Sequence, residues 1–282
     1  MRKPAWLNKK INLNACREVK SLLRGFNLHT VCQESLCPNI SECFYEGVAT
    51  FMILGNICTR DCKFCAITKG VPKDVDINEP QRIKEAVKKF SLNYIVITSP
   101  TRDDLSDGGA DIFFQIVKQL KSLVPCPKVE ILIPDFLGNE DSIRRISGCG
   151  ADVIAHNLET VPSLYSEVRG TADYNRSLDV LRIIKNMNNK IFTKSGIMLG
   201  LGESLDELNS VFQDLIEANC DFLTLGQYLP PFLSSALVKE YVSLEKFNYL
   251  KEKALNFGFK EVKSSPYTRS SYKAHMFLNA KD

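Results

Sequence analysis

The sequence predicts an α/β fold in which helices cover a mainly parallel β-sheet. Two observations lead to this class. From residue 49 onward, short runs of strand-forming residues alternate with stretches in which apolar residues recur at helical spacing. The strand runs are apolar throughout, which is typical of strands covered on both faces. An open doubly wound sheet and a β/α barrel both satisfy this pattern.

Six strands are expected, each followed by a helix. The predicted strands are Ala49–Leu54, Tyr94–Thr98, Val129–Ile133, Asp152–Ala155, Ile191–Met198 and Phe222–Leu225. The predicted helices lie near residues 80–90, 110–123, 140–148, 175–188, 204–219 and 244–257. Residues 1–48 and 263–282 lack this alternation and are too short to bury a core alone. We therefore expect them to be extensions packed on a domain of residues 49–262.

The composition is that of a folded chain without a strong electrostatic field. Hydrophobic residues make up 44% of the 282 residues, which supplies a sizeable core. The 36 basic and 33 acidic side chains give a formal net charge of +3, so we expect neither nucleic acid nor a membrane as a partner. The chain carries neither a bilayer-spanning apolar run nor a secretory signal, and we expect it in the cytoplasm.

The placement of the cysteines is the clearest chemical signal. Six of the ten cysteines fall between residues 32 and 65. Disulfides rarely persist in a reducing compartment, so clustered thiols there indicate a metal. The four isolated cysteines are expected to be buried thiols: Cys16, Cys126, Cys149 and Cys220.

Cys58, Cys62 and Cys65 follow the first predicted strand with the spacing C-x3-C-x2-C. Three thiolates on one tight loop can hold three irons of a cubane cluster and leave the fourth iron open. Structural zinc is the alternative, but zinc sites usually pair C-x2-C units and need a fourth ligand nearby. The spacing, with an aromatic residue before the last cysteine, resembles the signature of the radical S-adenosylmethionine (SAM) superfamily.

That resemblance implies the fold and the cofactor chemistry. The superfamily has partial or complete β/α barrels, here a partial barrel of six units, with active sites at the carboxyl ends of the strands. In the superfamily the amino and carboxylate groups of SAM bind the open iron. Reductive cleavage of SAM then releases a 5′-deoxyadenosyl radical.

A second triplet, Cys32, Cys37 and Cys43, lies upstream with the spacing C-x4-C-x5-C. This spacing fits no common zinc finger. An auxiliary iron–sulfur cluster is favoured over structural zinc or incidental buried thiols.

The two triplets and several further segments make the chain resemble the lipoyl synthase family over nearly its whole length. The matching segments are VCQESLCPNISEC, ATFMILGNICTRDCKFCAI, TRDDLSDGGA, HNLETV, TKSGIMLGLGE, LTLGQYL and RSSYKA. The resemblance implies insertion of two sulfur atoms, at carbons six and eight of an octanoyl chain carried on a lysine. It also implies SAM and two [4Fe–4S] clusters as cofactors, the auxiliary cluster being the sacrificed sulfur source.

The resemblance implies three kinds of protein partner. The substrates would be octanoylated lipoyl carrier domains, either in the E2 subunits of 2-oxoacid dehydrogenases or as the glycine cleavage H protein. A flavodoxin- or ferredoxin-type protein would donate electrons. An iron–sulfur cluster carrier would repair the auxiliary cluster.

The carboxyl-terminal tail supplies a further candidate ligand. In the family, a serine of the Arg-Ser-Ser-Tyr motif completes the auxiliary cluster, so Ser270 and Ser271 are the candidates and Ser271 is the one we expect. A hydroxyl oxygen is a weak match for iron in a sulfide cluster, which suits a ligand that must leave. Arg269 and Tyr272 are expected to hold the segment in place.

Other residues are candidates for SAM binding. Gly108 and Gly109 resemble the family's glycine pair after the second strand, which lets the backbone approach the methionine amine. Polar groups at strand ends of a barrel are candidates for catalysis or binding. They are Asn157, Glu159, Lys194 and Glu203.

Three segments depart from the family pattern. Pro100-Thr101 replaces a common Val-Asp, PPFLSSALVKEYV lacks a histidine usual in the family, and SPYT precedes RSSY in place of a Gly-Pro-led stretch. These departures bear on carrier recognition and pocket detail, and leave the cluster ligands intact. The alternatives are another sulfur-inserting radical enzyme, resembling biotin synthase or a methylthiotransferase, and a non-catalytic zinc-binding module.

Overall fold

A computed structural model describes residues 3–9, 17, 21, 23–46 and 50–279, with the side chains of residues 44, 45 and 279 excepted. Cys16 and the predicted strand start at residue 49 lie outside the described residues. The chain divides into two compact units. The first unit consists of Lys10–Arg60 and Ala66–Ile154, and the second of Met1–Lys9, Asp61–Cys65 and Ala155–Asp282.

The first unit begins with β1 (His29–Thr30), α1 (Val31–Glu34), α2 (Ile40–Tyr45), β2 (Thr50–Met52), β3 (Ile57–Cys58) and β4 (Thr68–Lys69). It continues with α3 (Glu79–Lys89), β5 (Tyr94–Thr98), α4 (Ala110–Lys121), β6 (Lys128–Leu132), α5 (Glu140–Ser147) and β7 (Val153–Ala155). The strand order is β1-β2-β5-β6-β7. β1 is antiparallel to β2, whereas β2, β5 and β6 pair in parallel.

Local sequence explains where the helices of this unit lie. The Asn139 side chain accepts the Ser142 N–H at 3.0 Å and caps α5. Arg144 and Arg145 lie in its last turn, where their positive charges interact favourably with the negative end of the helix dipole. The apolar face of α4 is buried through residues such as Phe113 and Ile116. This burial covers the sheet and accounts for the continuous apolar character of its strands.

The second unit contains α6 (Tyr165–Val168), α7 (Tyr174–Met187), β8 (Phe192–Leu199), α8 (Leu205–Glu217), β9 (Phe222–Gln227), α9 (Leu244–Phe257), β10 (Glu261–Ser264) and α10 (Met276–Asn279). Strands β8, β9 and β10 are parallel neighbours in that order. Ser204 and Glu207 form a reciprocal capping box at the start of α8. Buried residues of α8 and α9, such as Phe212 and Phe247, belong to one apolar cluster with Leu223 of β9.

The predicted α/β class with a mostly parallel sheet is confirmed. All six predicted strands and six predicted helices are present, with ends shifted by a few residues. β10 was not predicted, because its Glu-Val-Lys-Ser sequence lacks a continuous apolar run. No helix in the described part of the chain is both long enough and apolar enough to cross a membrane.

Candidate iron–sulfur and cofactor site

The cysteine loop follows β2, at the carboxyl end of a parallel strand. Cys58 ends β3 in the first unit, and Cys62 and Cys65 belong to the second unit. All three side chains are half-buried. The Arg60 N–H lies 3.4 Å from Cys58 Sγ, and the Cys65 N–H donates to the Cys62 carbonyl at 3.2 Å. Nine cysteines lie in the described residues, and none of these forms a disulfide.

Arg60, inside the cysteine loop, is locked by two carboxylates. Its Nε and Nη2 donate to Asp103 at 2.7 and 2.8 Å. Its Nη1 and Nη2 donate to Asp135 at 3.1 and 2.6 Å. The Arg60 side chain is 5% exposed and that of Asp135 only 1%. These hydrogen bonds and charges outweigh burial and raise the pKa of Arg60, so the guanidinium stays charged. Two forked ion pairs therefore fix the start of the loop.

The segment of residues 101–104 after β5, which contains the Arg-Asp-Asp run, makes further hydrogen bonds that order the cysteine loop. Arg102 Nη1 donates to the Leu54 carbonyl at 3.0 Å, and its Nη2 donates to Asp104 at 2.8 Å. The Thr59 N–H donates to the Thr101 carbonyl at 3.1 Å. The run therefore binds the backbone on both sides of β3 and orders the approach to Cys58. Sequence reasoning singled out this run as a family match and missed what it holds.

Gly108 and Gly109 are required by the backbone. Both have positive φ angles, +60° and +89°. A Cβ on Gly109 would lie 2.2 Å from Leu54 Cδ1, and one on Gly108 would lie 2.8 Å from Phe136 Cδ1. The glycine pair therefore packs against two apolar side chains at the start of α4. Contact with SAM stays a prediction for both glycines.

Two thiols of the second triplet have raised pKa values. Cys32 is buried in α1, whereas Cys37 and Cys43 are half-buried. Burial, and then the charge of Cys37, raise the pKa of Cys32 to about 11. Burial, and then the charges of Cys32 and Cys37, raise the pKa of Cys43 to about 12. Soft sulfur donors of this kind fit an iron–sulfur cluster.

Short backbone turns connect the residues of this triplet along the chain. The Cys37 N–H donates to the Cys32 carbonyl at 3.2 Å, and the Cys43 N–H donates to the Asn39 carbonyl at 3.0 Å. Among the residues that the structure describes, no group of three or more His, Cys, Asp or Glu side chains has the arrangement for a single metal ion.

Arg169 places a buried positive charge beside Cys62 in the second unit. Its Nη1 donates to Tyr165 Oη at 2.9 Å and to the Asn157 carbonyl at 3.2 Å. Cys62 Sγ lies 3.7 Å from the Arg169 carbonyl. Burial lowers the pKa of Arg169, but the charges of Tyr165, Glu159 and Cys62 outweigh burial and raise it. A charged guanidinium therefore lies within electrostatic reach of Cys62.

Three of the predicted cofactor-binding residues lie against the tail. Asn157 Nδ2 donates to Ser270 Oγ at 2.7 Å and to Glu159 Oε1 at 3.0 Å. Lys194 Nζ donates to the Ser270 carbonyl at 2.9 Å. Burial raises the pKa of Glu159, against the opposing charge of Arg169. Asn157 and Lys194 thus contact Ser270 directly and Glu159 does so through Asn157, and contact with SAM stays a prediction for all three.

Glu203 closes the turn after β8. Its carboxylate accepts the N–H groups of Gly200, Leu201 and Gly202 at 2.6, 2.9 and 3.0 Å. Burial raises the pKa of Glu203, while these hydrogen bonds act in the opposite direction. The contacts give Glu203 a structural role in the turn, and its binding of SAM stays a prediction.

Of the three isolated cysteines that the structure describes, two are buried as expected and one is not. Cys149 and Cys220 are buried, and burial raises the pKa of Cys149 to about 11 and that of Cys220 to about 12. The expectation that Cys126 is buried was wrong, because this side chain is exposed. It lies between two prolines in the loop before β6, so no helix or strand covers it.

Comparison with solved structures defines the fold. Streptococcus suis SuiB bound to S-adenosylmethionine superposes with a TM-score of 0.59 at 14% identity, covering 78% of this chain and 50% of that protein. The chain thus spans half the length of SuiB. Methylornithine synthase superposes with a TM-score of 0.51 at 15% identity, covering 94% of this chain and 85% of the other. The family model of the radical SAM superfamily matches residues 52–215. The fold and the cysteine loop are those of a radical SAM enzyme.

Curated relatives narrow this class. The chain is 52% identical to a lipoyl synthase of Caldicellulosiruptor saccharolyticus, over 97% of this chain and 96% of the relative. It is 51% identical to a lipoyl synthase of Geotalea uraniireducens, over 98% and 97%. A lipoyl synthase of Geobacter sp. strain M21 is 50% identical over 100% and 96%. The chain belongs to the lipoyl synthase family, with SAM and [4Fe–4S] clusters as its cofactors.

Proposed function

We propose that this chain inserts two sulfur atoms, at carbons six and eight, into an octanoyl chain bound to a carrier lysine. The observation that carries the proposal is the presence of two separate cysteine triplets in one radical SAM chain. One triplet lies on the loop after β2, and the other lies in the segment before β2, in and between α1 and α2. Two clusters allow one to start the reaction and the other to supply sulfur.

The first triplet is proposed as the catalytic cluster site. Cys58, Cys62 and Cys65 would each bind one iron, leaving the fourth iron for SAM. A reduced cluster with bound SAM supplies a radical that can take hydrogen from unactivated carbon, which side-chain acid–base chemistry does not achieve. Arg60 holds the start of the loop in position through its two ion pairs. Arg169 places a positive charge within electrostatic reach of Cys62.

The second triplet and the tail are proposed as the auxiliary site. Cys32, Cys37 and Cys43 would bind three irons and Ser271 the fourth. The contacts of the serine pair favour this choice, because the Ser270 hydroxyl is already bonded to Asn157. Within the described residues, the Ser271 hydroxyl has no hydrogen-bond partner. A serine oxygen is a weaker iron ligand than thiolate, so it can leave when the cluster is opened.

The remaining assignments complete this proposal. Gly108 and Gly109 would admit the methionine amine of SAM, and Asn157, Glu159, Lys194 and Glu203 would surround the cofactor pocket. Lipoyl carrier domains of E2 subunits or the glycine cleavage H protein would present the octanoyl-lysine. A flavodoxin- or ferredoxin-type donor and a cluster carrier would act with the enzyme in the cytoplasm, where thiols stay reduced. The proposed domain organisation is 1–48, 49–262 and 263–282.

The experiment is an anaerobic assay with an octanoylated carrier peptide, a low-potential reductant and SAM. The unaltered chain, with both clusters loaded, should release 5′-deoxyadenosine and add two sulfurs to the peptide. Cys37→Ala should still release 5′-deoxyadenosine but add no sulfur, whereas Cys62→Ala should do neither. Cys126→Ala is the matched control, because Cys126 is exposed and distant in sequence from both triplets. Sulfur insertion by Cys37→Ala at the unaltered rate would contradict the proposal.

A further inference from the structure

Ser270 is held at both its side chain and its backbone. The Ser270 Oγ lies 2.7 Å from Asn157 Nδ2 and 2.9 Å from Asn157 Oδ1. Lys194 Nζ donates to the Ser270 carbonyl oxygen at 2.9 Å. The carbonyl of Ser270 is part of the peptide plane that leads into Ser271. Fixing this plane therefore restricts where the next residue can place its side chain.

The two residues that bind Ser270, Asn157 and Lys194, make further contacts of their own. Asn157 Nδ2 also donates to Glu159 Oε1 at 3.0 Å, which sets the orientation of the amide. Lys194 lies on β8 and is fully buried. Its Nζ lies 4.8 Å from the ring centre of Phe277. A buried ammonium needs such compensation, because removal from water is costly for a charge. Asn157 and Lys194 are both buried, so their hydrogen bonds to Ser270 are not readily replaced by hydrogen bonds to water.

The space around this contact is filled. Gly196 lies on β8, two residues after Lys194. A Cβ on Gly196 would lie 2.6 Å from Thr224 Oγ1, 2.9 Å from Asn157 Oδ1 and 2.9 Å from Ser270 Oγ. Any larger residue at position 196 would therefore push against the contact of Asn157 with Ser270. A glycine with an ordinary φ angle at this position is explained by packing and not by backbone conformation.

The tail is anchored again beyond the serine pair. Phe277 in α10 is fully buried, and its ring centre lies 5.2 Å from that of Phe222 on β9. Ser271 thus lies between two fixed points of the tail, one at Ser270 and one at Phe277.

We propose that Asn157 and Lys194 are positioning residues for Ser271, because holding Ser270 fixes where the backbone places the next hydroxyl. The inference rests on the proposed role of Ser271 as a ligand. It gives both residues a task on the auxiliary side of the reaction, in addition to the SAM contacts predicted for them.

The test uses the full chain with Cys58, Cys62 and Cys65 replaced by alanine, so that only the auxiliary cluster is present. The reconstituted protein is reduced anaerobically, and the rate of iron transfer to a ferrous chelator is measured together with the Mössbauer spectrum. Loss of a residue that orients a metal ligand typically weakens metal binding by about 10–100-fold. Asn157→Ala and Lys194→Met should each accelerate iron release about tenfold, as Ser271→Ala should.

Two further variants separate positioning from general stability. Asn157→Ala combined with Ser271→Ala should release iron no faster than Ser271→Ala alone, because the positioning has no object once the hydroxyl is gone. Lys194→Arg keeps a donor for the Ser270 carbonyl, so this variant should release iron more slowly than Lys194→Met. Lys185→Met is the matched control, since Lys185 is also a nearly buried lysine of the second unit but pairs with Asp221. Its rate should equal that of the parent chain.

The outcomes distinguish this inference from the proposed function. Unchanged release in Ser271→Ala would overturn the ligand role itself. Faster release in Ser271→Ala with unchanged release in both Asn157→Ala and Lys194→Met would overturn the positioning role alone. The positioning role would also be overturned if the effects of Asn157→Ala and Ser271→Ala on the rate of iron release multiplied in the double variant. If a single variant fails to fold by circular dichroism, Gly196→Ala takes its place, because it displaces the Asn157–Ser270 contact without removing either side chain. Parent-like release from Gly196→Ala would contradict the inference.

Discussion

Removing the charge of Arg60 should destabilise the first unit far more than removing a comparable exposed charge. In Arg60→Met the Asp135 side chain, which is 1% exposed, would keep its negative charge but lose its two hydrogen bonds to Arg60. Breaking a buried ion pair in this way typically costs about 3–5 kcal/mol. Arg145→Met is the control, because the Arg145–Asp111 pair is 45% and 43% exposed. Exposed pairs contribute about 0.2–1 kcal/mol.

The assay is hydrogen exchange of the β5 and β6 amides, followed by mass spectrometry in the cluster-free protein. These strands report on the first unit and involve no cluster ligand. Asp135→Asn in combination with Arg60→Met removes the negative charge of residue 135. The double variant should therefore be more stable than the sum of the single effects predicts, by about 0.5–3 kcal/mol. A cost for Arg60→Met no larger than for Arg145→Met, or strict additivity in the double variant, would refute the reasoning.

Three further predictions concern single contacts. Gly109→Ala should destabilise the chain by more than about 1 kcal/mol in urea unfolding, since the new Cβ would meet Leu54 at a positive φ; Gly148→Ala, at φ −93°, should have little effect. Ser204→Ala removes the α8 cap and should cost about 1 kcal/mol in the same assay. Hydrogen bonds from Lys185 and Lys260 outweigh burial and lower the pKa of Asp221. The stabilisation by Asp221 is therefore fully present above about pH 4, its unfolded pKa, and is lost as the pH falls through the lower folded value. The urea midpoints of the unaltered chain and Asp221→Asn should accordingly converge towards low pH, and a constant difference would contradict this.

Features encoded in neighbouring residues could be predicted from the sequence. The apolar runs of β5 and β6 and the spacing of the two cysteine triplets are local signals, and each strand appears where expected. The exposure of Cys126 could not be predicted from its residue type, because lone cysteines are usually buried, whereas Cys126 lies in a loop between two prolines. β10 was missed because alternation over four residues is a weak pattern.

Contacts between residues far apart in the chain could not be predicted in this way. Arg60 meets Asp135 across 75 residues, and Asn157 meets Ser270 across 113. No spacing rule connects such residues, since the fold alone decides which strand ends become neighbours. Lys194 and Asn157 were therefore chosen as cofactor ligands from their place at strand ends, while their contacts with the tail became visible only in three dimensions.

The sharing of Arg60 by two carboxylates has a consequence for how related sequences diverge. Replacing Arg60, Asp103 or Asp135 alone removes hydrogen bonds and charge pairing from the side chains that remain, so each single change passes through a destabilised intermediate. Substitutions at these three positions should therefore occur in concert among relatives. Because their side chains link the cysteine loop to the segments after β5 and β6, the trio should covary even where the surrounding loops differ in length.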